Sequence, residues 1–120
     1  MPGEQTEEKS LQVIIGEQLS AVTFVQDYLQ LHFDGPRLTV FSYAIVMRGD
    51  KTFHGGKPGF RDALCNNIAK QVTEARVAYG DSISIRFADG STIKISLKDE
   101  DFSDGEAVNF DTGGNVWWAL

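Results

Sequence analysis

Two stretches of this chain repeat one another position by position. Residues 11–40 align with 64–95: Leu11 with Leu64, Ile15 with Ile68, Gln18 with Gln71, Leu19 with Val72, Ser20 with Thr73, Val22 with Ala75 and Phe24 with Val77. The match continues from Leu29-Gln30-Leu31-His32-Phe33-Asp34-Gly35 to Ile83-Ser84-Ile85-Arg86-Phe87-Ala88-Asp89-Gly90, then from Leu38 and Val40 to Ile93 and Ile95. The second copy has one extra residue before Ile83 and one before Ile93, both at Gly/Asp-containing turns, where added loop length costs little. A duplicated unit should have one structure, so a reading of either copy constrains the other.

Alternation sets that structure. Leu29, Leu31 and Phe33 point one way and Gln30 and His32 the other, the period of a half-buried strand, and Ile83, Ile85 and Phe87 do the same against Ser84 and Arg86. Each run ends in Asp-Gly, which readily takes positive φ, and then alternates again, so each copy predicts a β-hairpin. Pro36 lacks an N–H and belongs at the beginning of its strand or on an edge. Residues 60–79 are ambiguous alone. Phe60, Leu64, Ile68, Val72 and Ala75 share a helical face, yet 72–77 aligns with 19–24, where apolar residues alternate as in a strand. The duplication favours a helix over about 60–70 and a strand over about 72–79, with one long helix as the alternative. By the same logic a short helix or turn lies near 10–15. Each copy has an appendix: 44–47, a Gly49-Asp50 turn and 52–53 in the first, and 107–110, a turn through 111–114 and 116–118 in the second.

The expected fold is α+β, mainly antiparallel sheet with short helices. An internally duplicated helix-plus-three-strand unit forms a sandwich or a barrel-like roll. Residues 11–120 make one domain, with pseudo-repeats over about 11–53 and 60–118, preceded by a polar tail, 1–10, expected to be disordered. The acidic start has no basic segment or apolar run of the kind that directs export, and no stretch approaches the ~20 apolar residues of a membrane helix. Cys65 is the one cysteine, so no internal disulfide forms. A cytoplasmic protein without a membrane partner is the default reading. The net charge of −6, with lysines and arginines scattered, argues against a nucleic-acid partner.

Function is sought where the copies differ. The connector His54-Gly55-Gly56-Lys57-Pro58-Gly59-Phe60-Arg61 interrupts the symmetry. Amides of Gly55 and Gly56 and the side chains of His54, Lys57 and Arg61 form a candidate anion site, although the P-loop spacing is absent and the glycines also suit a plain connector. The acidic run containing Asp99, Glu100, Asp101, Asp104 and Glu106 does not scan as an EF-hand loop. With Asp99 at its first position, Asp104 falls where glycine belongs and Phe110 where glutamate belongs. No metal is expected, and the run reads as a solvated loop or a surface for a basic partner. Trp117 and Trp118 are adjacent in a strand, sending one ring to the core and the other outward, where Trp117 would suit a partner or homodimer interface.

Catalysis has thin support. His32 is on an outward strand position and His54 in the connector, while Cys65 reads as a small buried hydrophobe. Neither G-x-S-x-G nor H-E-x-x-H occurs. No cofactor and no catalytic residue is assigned. Arg48-Gly49-Asp50 is a hairpin turn.

The hairpin pattern L-x-L-x-F-[x]-D-G-x-x-L-x-V, with the acidic stretch leading to Glu106-Ala107-Val108, resembles a group of small uncharacterised bacterial domains with repeated F-D-G hairpins. The resemblance spans about 16–118. Several such domains have a tryptophan soon after the glutamate, where this chain has Val108. The chain is also loosely similar to immunity proteins of bacterial toxin systems, which bind and block one toxin. The acidic loop from Asp99 to Glu106 and the aromatic C-terminus, taken with this resemblance, point to a non-enzymatic protein-binding module of immunity type. The alternatives are a small-anion or metabolite binder, or an enzyme, with its site at 54–61, and a structural homo-oligomeric module.

Overall fold

The structure, a computed structural model, describes residues 2–103, 105–114 and 116–120, with side chains from residue 7 onward. The first copy contains α1 (Pro2–Leu11), a 3-10 turn (Gln12–Ile14), and strands β1 (Ala21–Val25), β2 (Tyr28–His32), β3 (Arg37–Val40), β4 (Ala44–Arg48) and β5 (Lys51–His54). The second contains α2 (Phe60–Cys65), β6 (Val72–Ala78), β7 (Ser82–Phe87), β8 (Thr92–Ser96), a 3-10 turn (Asp99–Asp101), β9 (Val108–Asp111) and β10 (Trp117–Ala119). Each copy is therefore a helix, a three-stranded meander and a final hairpin.

The hairpins are exchanged. One sheet has the order β1-β2-β3-β9-β10 and the other β6-β7-β8-β4-β5, so each meander is completed by the other copy's hairpin. The two seams match: β3 pairs with β9 at Leu38↔Phe110 and Val40↔Val108, and β8 pairs with β4 at Ile93↔Val46 and Ile95↔Ala44. Alternation sends Leu31, Leu38, Val40, Val108 and Phe110 of one sheet, and Val46, Ile83, Ile85, Ile93 and Ile95 of the other, into one core between them. Gln30, Thr39 and Asn109 share a row on the opposite face of the first sheet. Both Asp-Gly segments turn hairpins, and Gly49-Asp50 turns β4 into β5.

The copies meet where their pre-strand segments cross. Gln18 bridges its repeat equivalent Gln71, and the flanking backbone bonds are reciprocal. Gly16 N–H donates to the Val72 carbonyl at 2.8 Å and Ala69 N–H to the Leu19 carbonyl at 2.8 Å, while Leu19 N–H reaches Lys70 and Val72 N–H reaches Glu17. Gly16 and Ala69 are equivalent and both have positive φ, 90° and 76°. The irregularity at each strand's start also repeats: Ser20 Oγ donates to the His32 carbonyl and Thr73 Oγ1 to that of Arg86.

Residues 72–78 are strand, as the duplication predicts, and α2 is shorter than the expected helix, ending at Cys65. The tail 1–10 is expected to be disordered, but residues 2–10 belong to α1, which runs to Leu11. Leu11 at its end is buried in the core, and the rest of its hold on the sheet is polar: Glu8 Oε1 accepts the Val77 N–H at 2.8 Å, and from the 3-10 turn that follows Gln12 Nε2 donates to the Ala75 carbonyl at 2.6 Å. Glu7 and Glu8 also bond Tyr79 in the β6–β7 turn. Burial, then the nearby carboxylates, push that phenol above its ordinary pKa. Cys65, expected to be a small buried hydrophobe, is exposed, because it lies about 100° round the helix from buried Leu64. No helix among the described residues is long and apolar enough to cross a membrane.

A polar cluster ties the end of α2 to the β7–β8 turn. Ser91 Oγ donates to Asn67 Oδ1 or Asp89 Oδ1, each 2.7 Å away, and Lys70 Nζ lies 2.5 Å from Asp89 Oδ2. Bonds from Lys70, then from the Ser91 hydroxyl and amide, hold the Asp89 carboxyl well below the usual carboxylate range.

Two outcomes follow from these contacts. Left-handed backbone costs alanine about 1–2 kcal/mol, partly offset by glycine's greater freedom when unfolded. Ala69→Gly should therefore raise the unfolding free energy by up to about 1 kcal/mol, and Gly16→Ala should lower it by a similar amount; urea denaturation that finds no opposite signs would refute this. Because the Asp89 pKa is depressed on folding, its stabilisation is full above about pH 4 and declines as pH falls towards 2. The melting-temperature gap between wild type and Asp89→Asn should be widest near neutrality and close in acid; a gap independent of pH would count against the cluster.

Candidate functional site

The connector borders a cleft of about 580 Å³, within the range of small-molecule pockets. Three parts of the chain frame it. The β1–β2 hairpin supplies Phe24, Gln26, Asp27 and Tyr28; the crossing from β3 to β4 supplies Phe41 and Tyr43; the connector and α2 supply Gly55, Gly56, Lys57 and Arg61. The hairpin is positioned by its pairing from Ala21↔His32 to Val25↔Tyr28. The crossing is held by Phe41 N–H on the Ala107 carbonyl at 2.8 Å, and by the Asp101 carbonyl, which accepts from Ser42 Oγ at 3.2 Å and Tyr43 N–H at 3.3 Å.

Four of the five connector residues expected at an anion site, Gly55, Gly56, Lys57 and Arg61, line this cleft. The fifth, His54, stands beside it, with its Nδ1 hydrogen-bonded to the hydroxyl of Tyr43 and its ring stacked on the tyrosine's. Gly55 has different work from the one expected. Gly55 N–H donates to the Ala44 carbonyl at 2.8 Å, so it is already occupied, and a Cβ there would lie 2.9 Å from that oxygen. Gly55 is thus needed because the connector presses against β4. Gly59, with φ 89°, turns the chain into α2.

Charge in the cleft is balanced but unpaired. Lys57, Arg61, Asp27 and Asp62 all line the one opening, and among the described residues none of the four has an opposite charge within 4.0 Å. The Arg61 guanidinium lies 5.2 Å from the centroid of the Phe24 ring, and Tyr28 and Phe41 pack at 5.4 Å. The cleft therefore offers aromatic surface beside two free cations. A smaller hollow of about 190 Å³ on the other side of Tyr43 includes Asp81, Lys94, Lys98 and Asp101.

The residues expected at a partner surface are not equivalent. Asp101 is structural, its carboxylate accepting the Ser96 hydroxyl at 2.6 Å in addition to its carbonyl's bonds. Asp99 and Glu100 are exposed, Glu106 is half-buried, and Asp104 lies outside the described residues. Trp118 packs on Phe110 at 5.3 Å, while Trp117 is 66% and Val116 54% exposed, dividing the two indoles as strand geometry predicts. His32 lies on its sheet's outer face, bonded to Thr23.

Sequence reasoning missed the cleft's other walls. Phe24, Gln26, Asp27, Tyr28, Phe41 and Tyr43 come together only through the hairpin and the crossing, and the one hint was aromatic Phe24 where the second copy has Val77. Comparison with protein-family models, curated proteins and solved structures finds no match. The class rests on fold and site: a two-sheet α+β sandwich with a ligand-sized cleft where its halves differ.

Proposed function

We propose that this protein binds a small anionic molecule in the cleft beside the 54–61 connector, without chemistry of its own. The observation that carries this reading is the pair of cations, Lys57 and Arg61, that have no ion-pair partner among the described residues and stand beside aromatic walls in a ligand-sized opening. Charge-assisted bonds to such cations orient an anion, and the aromatic surface supplies area for the remainder of the molecule. A second reading has one supporting observation: exposed Trp117 and Val116 at β10, an edge strand, suit a protein partner or a second copy. An immunity-type bacterial protein acting in the cytoplasm would use that edge to block its partner.

In a thermal-shift screen of small carboxylates and phosphates, at least one at a hundred times its Kd should raise the melting temperature by several degrees. Lys57→Ala with Arg61→Ala should remove the shift, and indifference across the screen would sink the ligand reading. For the edge reading, light scattering should find wild-type dimers at high concentration that Trp117→Ser reduces to monomers, or a recovered partner whose binding Trp117→Ser weakens at least about tenfold. A monomeric wild type whose partner binds Trp117→Ser equally well would remove that reading.

A further inference from the structure

The edge of β6 carries a contact that the edge of β1 lacks. At the edge of β6, the Glu8 carboxylate accepts the Val77 N–H at 2.8 Å and Gln12 donates to the Ala75 carbonyl at 2.6 Å. In the repeat, Val77 and Ala75 correspond to Phe24 and Val22 of β1. Glu8 lies three residues before Leu11 as Arg61 lies three before Leu64, and Gln12 follows Leu11 as Cys65 follows Leu64. Beside the edge of β1, α2 therefore takes the place that α1 takes beside β6, but with a cation where α1 has a carboxylate. The Arg61–Phe24 packing at 5.2 Å places that cation beside the corresponding residue.

The Phe24 amide is turned towards this position. β1 and β2 are joined by a two-residue turn, so the closing pair Val25↔Tyr28 exchanges both ladder hydrogen bonds. At the next pair, Phe24↔Leu29, the Phe24 N–H then faces away from β2, as that of Val77 faces away from β7 at the equivalent pair Val77↔Ile83. No acceptor for it is found among the described residues. An N–H that faces out from the sheet edge and a guanidinium seated over the same residue's ring thus belong to one cleft wall, where a carboxylate can satisfy both. Asp27 and Asp62 share the opening and oppose a second negative charge, while Tyr28 and Phe41 receive an apolar body.

Building on the cleft reading, we propose that the ligand is a small monocarboxylic acid with an apolar or aromatic body, its carboxylate accepting the Phe24 N–H and pairing with Arg61 as Glu8 accepts the Val77 N–H in the other half. Arg61→Glu should supply the missing carboxylate internally and close the site.

The test is an amide-resolved NMR titration of the whole chain with phenylacetate, phenylacetamide and phenyl phosphate, each to roughly 10 mM, ten times the Kd of a weak site. Phenylacetate should shift the Phe24 amide strongly and leave Val77 unmoved, the neutral amide should have at least about tenfold less effect, and phenyl phosphate should bind more weakly than the acid. In Arg61→Glu the Phe24 amide should already be displaced without ligand and no longer respond. If Gly56 and Tyr28 shift but Phe24 does not, or if amide or phosphate equals the acid, the carboxylate assignment is overturned while the cleft remains a binding site. If no cleft resonance responds to any of the three, both are overturned.

Discussion

Everything in this fold hangs on the reciprocal crossing of residues 16–19 with 69–72. Four backbone hydrogen bonds related by the pseudo-twofold join the copies there, around the Gln18–Gln71 bridge. The crossing fixes where β1 and β6 begin, hence which face of each meander turns inward. A slip of one residue would send Leu31, Leu38, Ile83 and Ile85 to solvent. It also demands left-handed backbone at one position in each copy, met by glycine in one and alanine in the other. The buried core is then closed by the exchanged hairpins, so crossing and exchange act together.

The pseudo-symmetry explains why one side of the molecule has a cleft and the other is occupied. Both helices lie beside an edge strand, α1 by β6 and α2 by β1. Glu8 of α1 and Gln12 just after it answer the outward groups of β6, whereas α2 brings an arginine and an exposed cysteine to the corresponding positions. The sharp turn at Gly55 and Gly59, required by close approach to Ala44 and by positive φ, keeps the connector at the rim.

Much of the architecture was legible because strand alternation and duplication are local signals. Leu29 to Phe33 and Ile83 to Phe87 gave the meanders, and aligning 72–77 with 19–24 resolved an apolar run that could have been a long helix. The hairpin exchange was not legible: alternation in 44–47 says that one face is buried, not which sheet buries it. α1 was not legible because Leu11 is its one apolar anchor among the residues with described side chains, while Glu8, and Gln12 just after the helix, dock on a strand's amide and carbonyl groups. Of the site, the connector was visible as a break in symmetry, but Tyr28, Phe41 and Tyr43 are distributed over two other segments and converge only in three dimensions. Asp101 looked like part of a solvated loop until its bonds to Ser42, Tyr43 and Ser96 made it a tether.

The exchanged hairpins also bear on the order in which the chain can acquire structure during synthesis. The meander β1-β2-β3 forms from adjacent segments, yet its seam partner β9 is more than half the chain away, and β4-β5 must await β8. Neither sheet reaches its full width until most of the strands exist, so contacts distant in sequence dominate the final steps and folding should be slow for a chain of this size. Until then Leu38 and Val40 border an open strand edge, a natural place for a chaperone to hold the nascent protein or for two unfinished chains to trade hairpins.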